Sequence, residues 1–485
     1  MRRFSPNQKI VVAIVYISGM LLNSLDSTIV NVALATLARE FGVPADSIET
    51  VVIAYLVSLA VFIPTSGWIG DRWGTKRTFL TALFIFTGAS ALCGLAQSLD
   101  QLVLFRILQG AGGGLLTPVG MAMLYRTFPP QERVGVSRIL MFATILGPAL
   151  GPILGGALIE HATWRWIFYV NVPVGLAALV FGFLFLEEHR EEAAGRFDVA
   201  GFLLAGAGFG LFMYAMSEGP SKGWTSPQVL SFGLIGAVLL VLFVMVELRI
   251  PSPMVNLHLL ANRLFRSTLL VSFFTSAGFI GTLFLVPLFL QEARGVSPLQ
   301  AGLTTMPEAI GVVVSTQLVA RLYPTVGPRR LMASGLAGVT VVVVFMAFLD
   351  LDSSLWLVRF AMFMLGFGVA YVFLPNQAAS LATITSAQTG RASTLSTVQR
   401  QLGGALGVAI VSSVLTIVGT GSEGSGSIAG YRAAFVAAAV LALIGAVCAL
   451  FVPDADAAET MRVRSKVKAP TPGRGRRVRS GTLRG

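Results

Sequence analysis

"GWIGDRWGTKRTFL" (Gly67–Leu80) and "ARLYPTVGPRRLMASG" (Ala320–Gly335) lie in opposite halves of the chain, each between two long apolar runs. Setting Gly74 against Gly327 puts Lys76 and Arg77 opposite Arg329 and Arg330, while Asp71 meets Pro324. A second echo pairs "GAGGGLLTP" (Gly110–Pro118) with "GFGVAYVFLP" (Gly366–Pro375). Weak internal duplication across apolar segments is the mark of a secondary transporter made of two related halves. Only the first half keeps an acid in this loop.

The surrounding composition agrees. Of 485 residues, 55% are hydrophobic and 12% charged, with mean hydropathy +0.78; a soluble domain carries about 25% charged residues. The first apolar run is too long for a cleavable signal and is expected to remain as a span. Crossing the hydrocarbon takes roughly 20 apolar residues. On that length the sequence predicts fourteen transmembrane helices: spans 1 to 14 near residues 10–37, 50–70, 78–97, 102–124, 136–158, 166–186, 199–216, 229–247, 268–290, 299–320, 330–349, 354–378, 398–418 and 432–452.

Charge orients them. With both termini cytoplasmic, nineteen Lys and Arg residues before Arg462 fall inside, against Arg39, Arg165, Lys222, Arg294 and Arg432 outside. This is the positive-inside pattern, and it fails if one middle span is removed. The net charge of +12 is thus explained by topology rather than by nucleic acid. The expected organisation is all-α: an N-terminus at 1–9, a six-helix bundle at 10–186, a linker at 187–198, an inserted helix pair at 199–247, a linker at 248–267, a second six-helix bundle at 268–452 and a basic, disordered tail at 453–485. Cys93 and Cys448 lie in apolar runs, so neither a disulfide framework nor a metal site is indicated.

Polar residues inside spans are the candidate site. In "NSLDSTIVNVAL" (Asn23–Leu34), Asn23, Ser27 and Asn31 recur every four positions beside Asp26, a stripe expected to line a wet cavity. On span 4, Arg106 is about 9 Å below the outer end at 1.5 Å per residue, close enough to reach Asp26 or to snorkel outward. Gln109 and small residues around it favour the polar cavity. Glu308 follows Pro307 in span 10, about 16 Å below the outer end. Burying its charge costs at least about 2.5 to 3.5 kcal/mol. It is therefore a second proton-carrier candidate, or a structural acid bonded to a neighbouring helix.

In span 5, Gly147, Gly151 and Gly155 recur every four residues, with Gly156 adjacent. That face lets another helix approach closely, and Pro148 and Pro152 permit a bend.

These stretches together resemble the fourteen-helix drug:proton antiporter family of the major facilitator superfamily. "LDSTIVNVAL" (Leu25–Leu34) is similar to its span 1 signature, "GWIGDRWGTKR" (Gly67–Arg77) to its loop after span 2, and "LFRILQGAGGG" (Leu104–Gly114) to its span 4 arginine motif. "ILGPALGPILGG" (Ile145–Gly156) resembles the antiporter motif, followed by "WRWIFYVNVPVG" (Trp164–Gly175). In the second half, "SPLQAGL" (Ser297–Leu303) and "RQLGGALGVAI" (Arg400–Ile410) match as well. Ala35 stands where the family usually has proline.

The resemblance implies a major facilitator fold of two six-helix bundles plus two inserted helices. It implies a switch loop of Gly67, Asp71, Arg72, Gly74, Lys76 and Arg77, in which Asp71 pairs with cations or a helix N-terminus across the halves in one conformation. It also implies that span 5 seals one state of an export cycle. The expected function is proton-coupled efflux of hydrophobic, cationic small molecules from a bacterial plasma membrane, with Asp26 as the coupling acid and Glu308 as a second candidate. An exporter dedicated to one endogenous metabolite, peptide, siderophore or lipid is the alternative.

No G-x-x-x-x-G-K-[ST] loop is present, so an ion gradient is the expected drive, without cofactors. A polytopic enzyme would need a polar cluster near an interface, and His161, His189 and His258 are scattered over separate loops. Relatives that join an outer-membrane export system carry a longer loop than "GTGSEGSGSIAG" (Gly419–Gly430) between spans 13 and 14. The expectation is a monomer with substrate, protons and lipid as its partners and no obligate tripartite assembly.

Overall fold

The computed structural model describes residues 7–43, 48, 50–132, 135–137, 147, 150–151, 154–190, 197–250, 253, 255–385, 388–419 and 428–461. Its architecture is all-helical: among these residues thirteen helices are long and apolar enough to cross a membrane. In the numbering above they are span 1 (Gln8–Phe41), span 2 (Thr50–Phe62, then a 3₁₀ turn at Ile63–Thr65 and Ser66–Trp73), span 3 (Thr75–Leu95), span 4 (Leu99–Thr127) and span 6 (Asn171–Phe185). The inserted pair is span 7 (Val199–Lys222) and span 8 (Pro227–Glu247). The rest are span 9 (Arg263–Leu288), span 10 (Pro298–Thr305 and Pro307–Val326), span 11 (Pro328–Ala347), span 12 (Leu355–Ala379), span 13 (Thr389–Gly419) and span 14 (Ile428–Ala449). Most of the predicted span 5, including Pro148 and Pro152, lies outside the described residues, as do positions 462–485 of the tail.

Spans 1, 2 and 3 pack around span 4, span 6 packs on spans 1 and 3, and spans 9 to 14 pack among themselves. Span 4 can sit centrally because its glycines have no side chains to keep neighbours away. A Cβ on Gly110 would lie 2.8 Å from Ser58 Cβ, and one on Gly112 would lie 2.7 Å from Ala82 O. Spans 7 and 8 form a hairpin against span 2 and span 13, pinned at its far end by Trp224 Nε1 donating to Ser413 Oγ at 2.6 Å.

The duplicated loop is duplicated in its bonding. Gly74 (φ +99°) and Gly327 (φ +82°) each begin a helix in a conformation that disfavours other residues. Each helix start is met by a carboxylate from beyond the last span of its own half. Glu188 accepts from the backbone N–H groups of Lys76 and Arg77 (2.9 and 3.2 Å), and Asp454 accepts from that of Arg329 at 2.8 Å. Anions at helix N-termini contribute about 0.3 to 1 kcal/mol each. Lys76 Nζ donates to the Phe183 and Leu186 carbonyls at the end of span 6, so this basic residue also closes a helix C-terminus.

Two predicted boundaries differ. Span 13 begins at Thr389, not near 398, so Arg391 belongs to the helix rather than to a loop. Its first three turns are too polar to read as a span, yet Thr389, Gly390, Ser393 and Thr394 are buried because they pack on the first half. Span 10 is broken at Met306, because Pro307 supplies no N–H to the preceding turn.

The halves meet on the side that carries the basic loops. Ser66 Oγ and Thr394 Oγ1 lie 2.9 Å apart. A Cβ on Gly67 would lie 2.8 Å from Thr394 Oγ1 and 3.2 Å from Arg391 Cα. The Tyr125 hydroxyl donates to the Gln377 carbonyl, and Phe265, Leu269, Leu381, Ala392 and Leu395 join the apolar core of the first half. In this conformation the bundle is closed at the basic-loop end.

Gly67→Val should therefore wedge that end open. Spin labels placed on the two halves at the basic-loop end are expected to show a longer distance distribution in the variant; an unchanged distribution would mean the glycine contact does not hold the closure.

Candidate functional site

The side chains that the sequence marks inside the membrane do not share one cavity. Asp26, Arg106 and Gln109 form a sealed cluster within the first half, with exposures of 0%, 1% and 0%. Arg106 Nη1 donates to Asp26 Oδ2 at 2.6 Å and to Gln109 Oε1 at 2.8 Å. Gln109 Nε2 donates to Asp26 Oδ1 at 2.8 Å, and Asn171 Nδ2 reaches the same oxygen at 3.2 Å. Asp26 thus accepts from spans 4 and 6 together. The guanidinium lies over the ring of Tyr55, 4.1 Å from its centroid, with Phe168 at 5.9 Å.

At Asp26 this differs from the wet stripe expected on span 1, whereas Asn23 and Ser27 are half-buried. A carboxylate with three donors and an adjacent cation needs no water to stabilise its charge, so the aromatic rings can close around the pair. Asn23 serves a separate set of bonds: Tyr55 Oη donates to its Oδ1 at 2.5 Å, and its amide reaches Thr117 Oγ1 at 3.3 Å. Ser27 Oγ donates to the Ser24 carbonyl at 2.8 Å. The side chain of Asn31 lies outside what is described.

Asn171 was missed by reasoning from the sequence, although the "WRWIFYVNVPVG" stretch contains it. It is fully buried and also donates to Ser90 Oγ at 3.2 Å. Its signal was available: an amide side chain opening an apolar helix two residues before Pro173. Tyr55, Ser90 and Cys93 complete the cluster, the thiol donating weakly to Gln109 Oε1 at 3.6 Å. These four residues carry no net charge, so composition scans pass over them.

Span 5 touches span 1 two residues to either side of Asp26. Gly147 faces Ser24, Gly151 faces Thr28, and Thr28 Oγ1 donates to the Gly147 carbonyl at 3.2 Å. Any side chain at either glycine would collide with span 1. Gly155 is buried, while Gly156 has open space beside it.

The switch-loop residues separate by role. Asp71 is buried and ion-paired with Arg126 Nη2 of span 4 at 2.8 Å. It also abuts Gly390, where a Cβ would lie 2.8 Å from Asp71 Oδ1, so the carboxylate sits beside the first turn of span 13 in the other half. Lys76 and Arg77 bond within their own half, as described above. Arg72 is exposed.

Glu308 stands apart from the Asp26 cluster, in the second half. It occupies the first turn after the break in span 10 and is half-buried. Its backbone packs tightly on span 12 at Gly366. Among the described residues its carboxyl makes no hydrogen bond or ion pair. Two intramembrane acids therefore have opposite environments.

Comparison with known proteins follows the same outline. Residues 16–408 match the Major Facilitator Superfamily. The chain is 32% identical to the uncharacterized MFS-type transporter YhcA of Bacillus subtilis (strain 168), over 83% of this chain and 76% of that one. It is 33% identical to a multidrug resistance protein B homolog of Mycobacterium tuberculosis (strain CDC 1551 / Oshkosh), over 81% and 73%. The human organic anion transporter MFSD10 (TETRAN) has the same fold, with a TM-score of 0.65 at 16% identity, covering 91% of this chain and 99% of its own. The proton:xylose symporter XylE gives a TM-score of 0.65 at 16% identity, covering 95% and 99%.

Removing one member of the buried pair should cost more than removing both. Arg106→Gln leaves Asp26 charged and is expected to lose about 3 to 5 kcal/mol. The double variant Asp26→Asn/Arg106→Gln should recover much of that loss in thermal unfolding of the detergent-solubilised protein. Equal losses in the single and double variants would show that the pair is not coupled.

Proposed function

The chain belongs to the major facilitator superfamily, and from that premise we propose that it is a proton-coupled exporter of hydrophobic, cationic small molecules, with Glu308 as the acid that exchanges the proton. It is a multi-pass membrane transporter. The observation that carries the proposal is the contrast between its two intramembrane carboxyl groups. Asp26 is held by Arg106, Gln109 and Asn171. Glu308 is half-buried and has no partner among the described residues.

A proton arriving at Asp26 must displace a guanidinium at 2.6 Å, which leaves a buried cation without its counter-charge. A proton arriving at Glu308 displaces nothing. The same acid offers a cationic substrate a counter-charge at that point, so substrate and proton compete for one carboxylate. Protonation from the outside then releases cargo, and proton loss to the cytoplasm readmits it. Asp26 acts differently in this reading: it fixes Arg106 and, through Gln109 and Asn171, locks spans 1, 4 and 6 into one body.

The basic-loop end is cytoplasmic by charge, and its closure keeps bound cargo from returning. The names of the relatives, multidrug resistance proteins among them, support export over import. Exchange of one proton for one monovalent cation moves no net charge, so the pH gradient supplies the drive: about 1.4 kcal/mol per pH unit, or roughly a tenfold substrate gradient.

Everted vesicles carrying the transporter should accumulate lipophilic cations in a protonophore-sensitive manner, above neutral or anionic analogues. Glu308→Gln is expected to abolish that sensitivity, leaving only exchange of substrate down its gradient. Proton-driven accumulation that persists at the wild-type level in Glu308→Gln would contradict the assignment.

A further inference from the structure

A second pair of acids is buried outside the transport site, where the inserted hairpin meets the basic-loop end. Asp198 precedes span 7 and Glu247 ends span 8, with exposures of 7% and 0%. One oxygen of each is satisfied by a backbone N–H: Gly201 donates to Asp198 Oδ1 at 2.8 Å, and Val255 donates to Glu247 Oε2 at 3.2 Å. The other oxygen of each, Asp198 Oδ2 and Glu247 Oε1, is buried and has no hydrogen-bond partner among the described residues.

Those two orphaned oxygens converge on one place. Both crowd the Cα of Gly201, where a Cβ would lie 2.8 Å from Glu247 Oε1 and closer still to Asp198 Oδ2. Two ionised carboxylates accept hydrogen bonds and cannot donate one, and like charges this close cannot both persist out of water. A single proton between them resolves both problems at once, since it gives each orphaned oxygen a bond and halves the charge. We infer that Asp198 and Glu247 share one proton, forming a proton-binding site that joins the inserted helix pair to the linker before span 9.

The surroundings show what the site can sense. Span 13 contributes the charge that acts on the pair, Arg391. The linker contributes the Val255 amide, and span 2 contributes the Trp68 ring, tilted against Phe197 with centroids 4.8 Å apart. With one proton the pair carries a single negative charge near the Arg391 guanidinium. Without it, two negative charges face each other across the hairpin. Arg391 is also the residue whose backbone abuts Gly67, in the helix turn that Asp71 abuts. Proton loss at the pair therefore acts on the helix that closes the basic-loop end. The site is independent of which acid carries the transported proton.

Infrared difference spectroscopy of the full chain in lipid tests this. At neutral pH, wild type should show a protonated-carboxyl C=O absorption, shifted in D₂O, that is missing from Glu247→Gln. It should be missing from Asp198→Asn as well, because either remaining acid is then free to ionise beside an amide. Each variant serves if the other fails to fold. Survival of the band in Asp198→Asn would assign a proton to Glu247 alone, and no difference between wild type and either variant would remove the site; both results overturn the shared proton.

Discussion

A charged pair that has been taken out of water must be satisfied completely, and the first half of this transporter is arranged around that requirement. Asp26 and Arg106 come from spans 1 and 4, and neither has access to solvent. Gln109 bridges both members, Asn171 adds a donor from span 6, and the Val51 carbonyl from span 2 lies 3.4 Å from Arg106 Nε. Four helices are thereby tied to one ion pair. The glycines of span 4 and the Gly147–Gly151 face of span 5 follow from the same constraint, since helices must come close before such short bonds can form.

The second half is built with the same plan but without that pair. Its loop glycine and helix-starting carboxylate have counterparts in the first half, yet Glu308 has no cation facing it among the described residues. Asymmetry also marks the closure between halves. Asp71 pairs with Arg126 and abuts the first turn of span 13, while Pro324 occupies the matching position in the second loop. One half thus holds a buried charge pair, and the other holds an acid that has no such partner among the described residues.

Much of this was legible in the chain. Apolar run lengths and the distribution of basic residues were sufficient for an all-helical membrane fold, and the repeated glycine loop anticipated two related halves. Asp26, Arg106 and Gln109 stood out because charge and amide groups are costly in hydrocarbon. Their enclosure did not, because it depends on Tyr55 and Phe168, whose rings look like any other aromatic residue in a span. Asn171 was hidden for a similar reason. The early start of span 13 was hidden too: Thr389 to Arg400 is polar enough to pass for a loop, and only its packing on Ser66, Gly67 and Asp71 explains why it is helical and buried. Glu188 and Asp454 act across distances that a linear reading does not connect.

The central claim is that Glu308 exchanges the proton while Asp26 serves as the fixed counter-ion of Arg106. The direct measurement is proton release on addition of a lipophilic cation to the purified transporter in weakly buffered detergent solution. The charge-balanced variant Asp26→Asn/Arg106→Gln should still release a proton on binding, and Glu308→Gln should release none. Release that survives in Glu308→Gln and vanishes in the double variant would contradict the account.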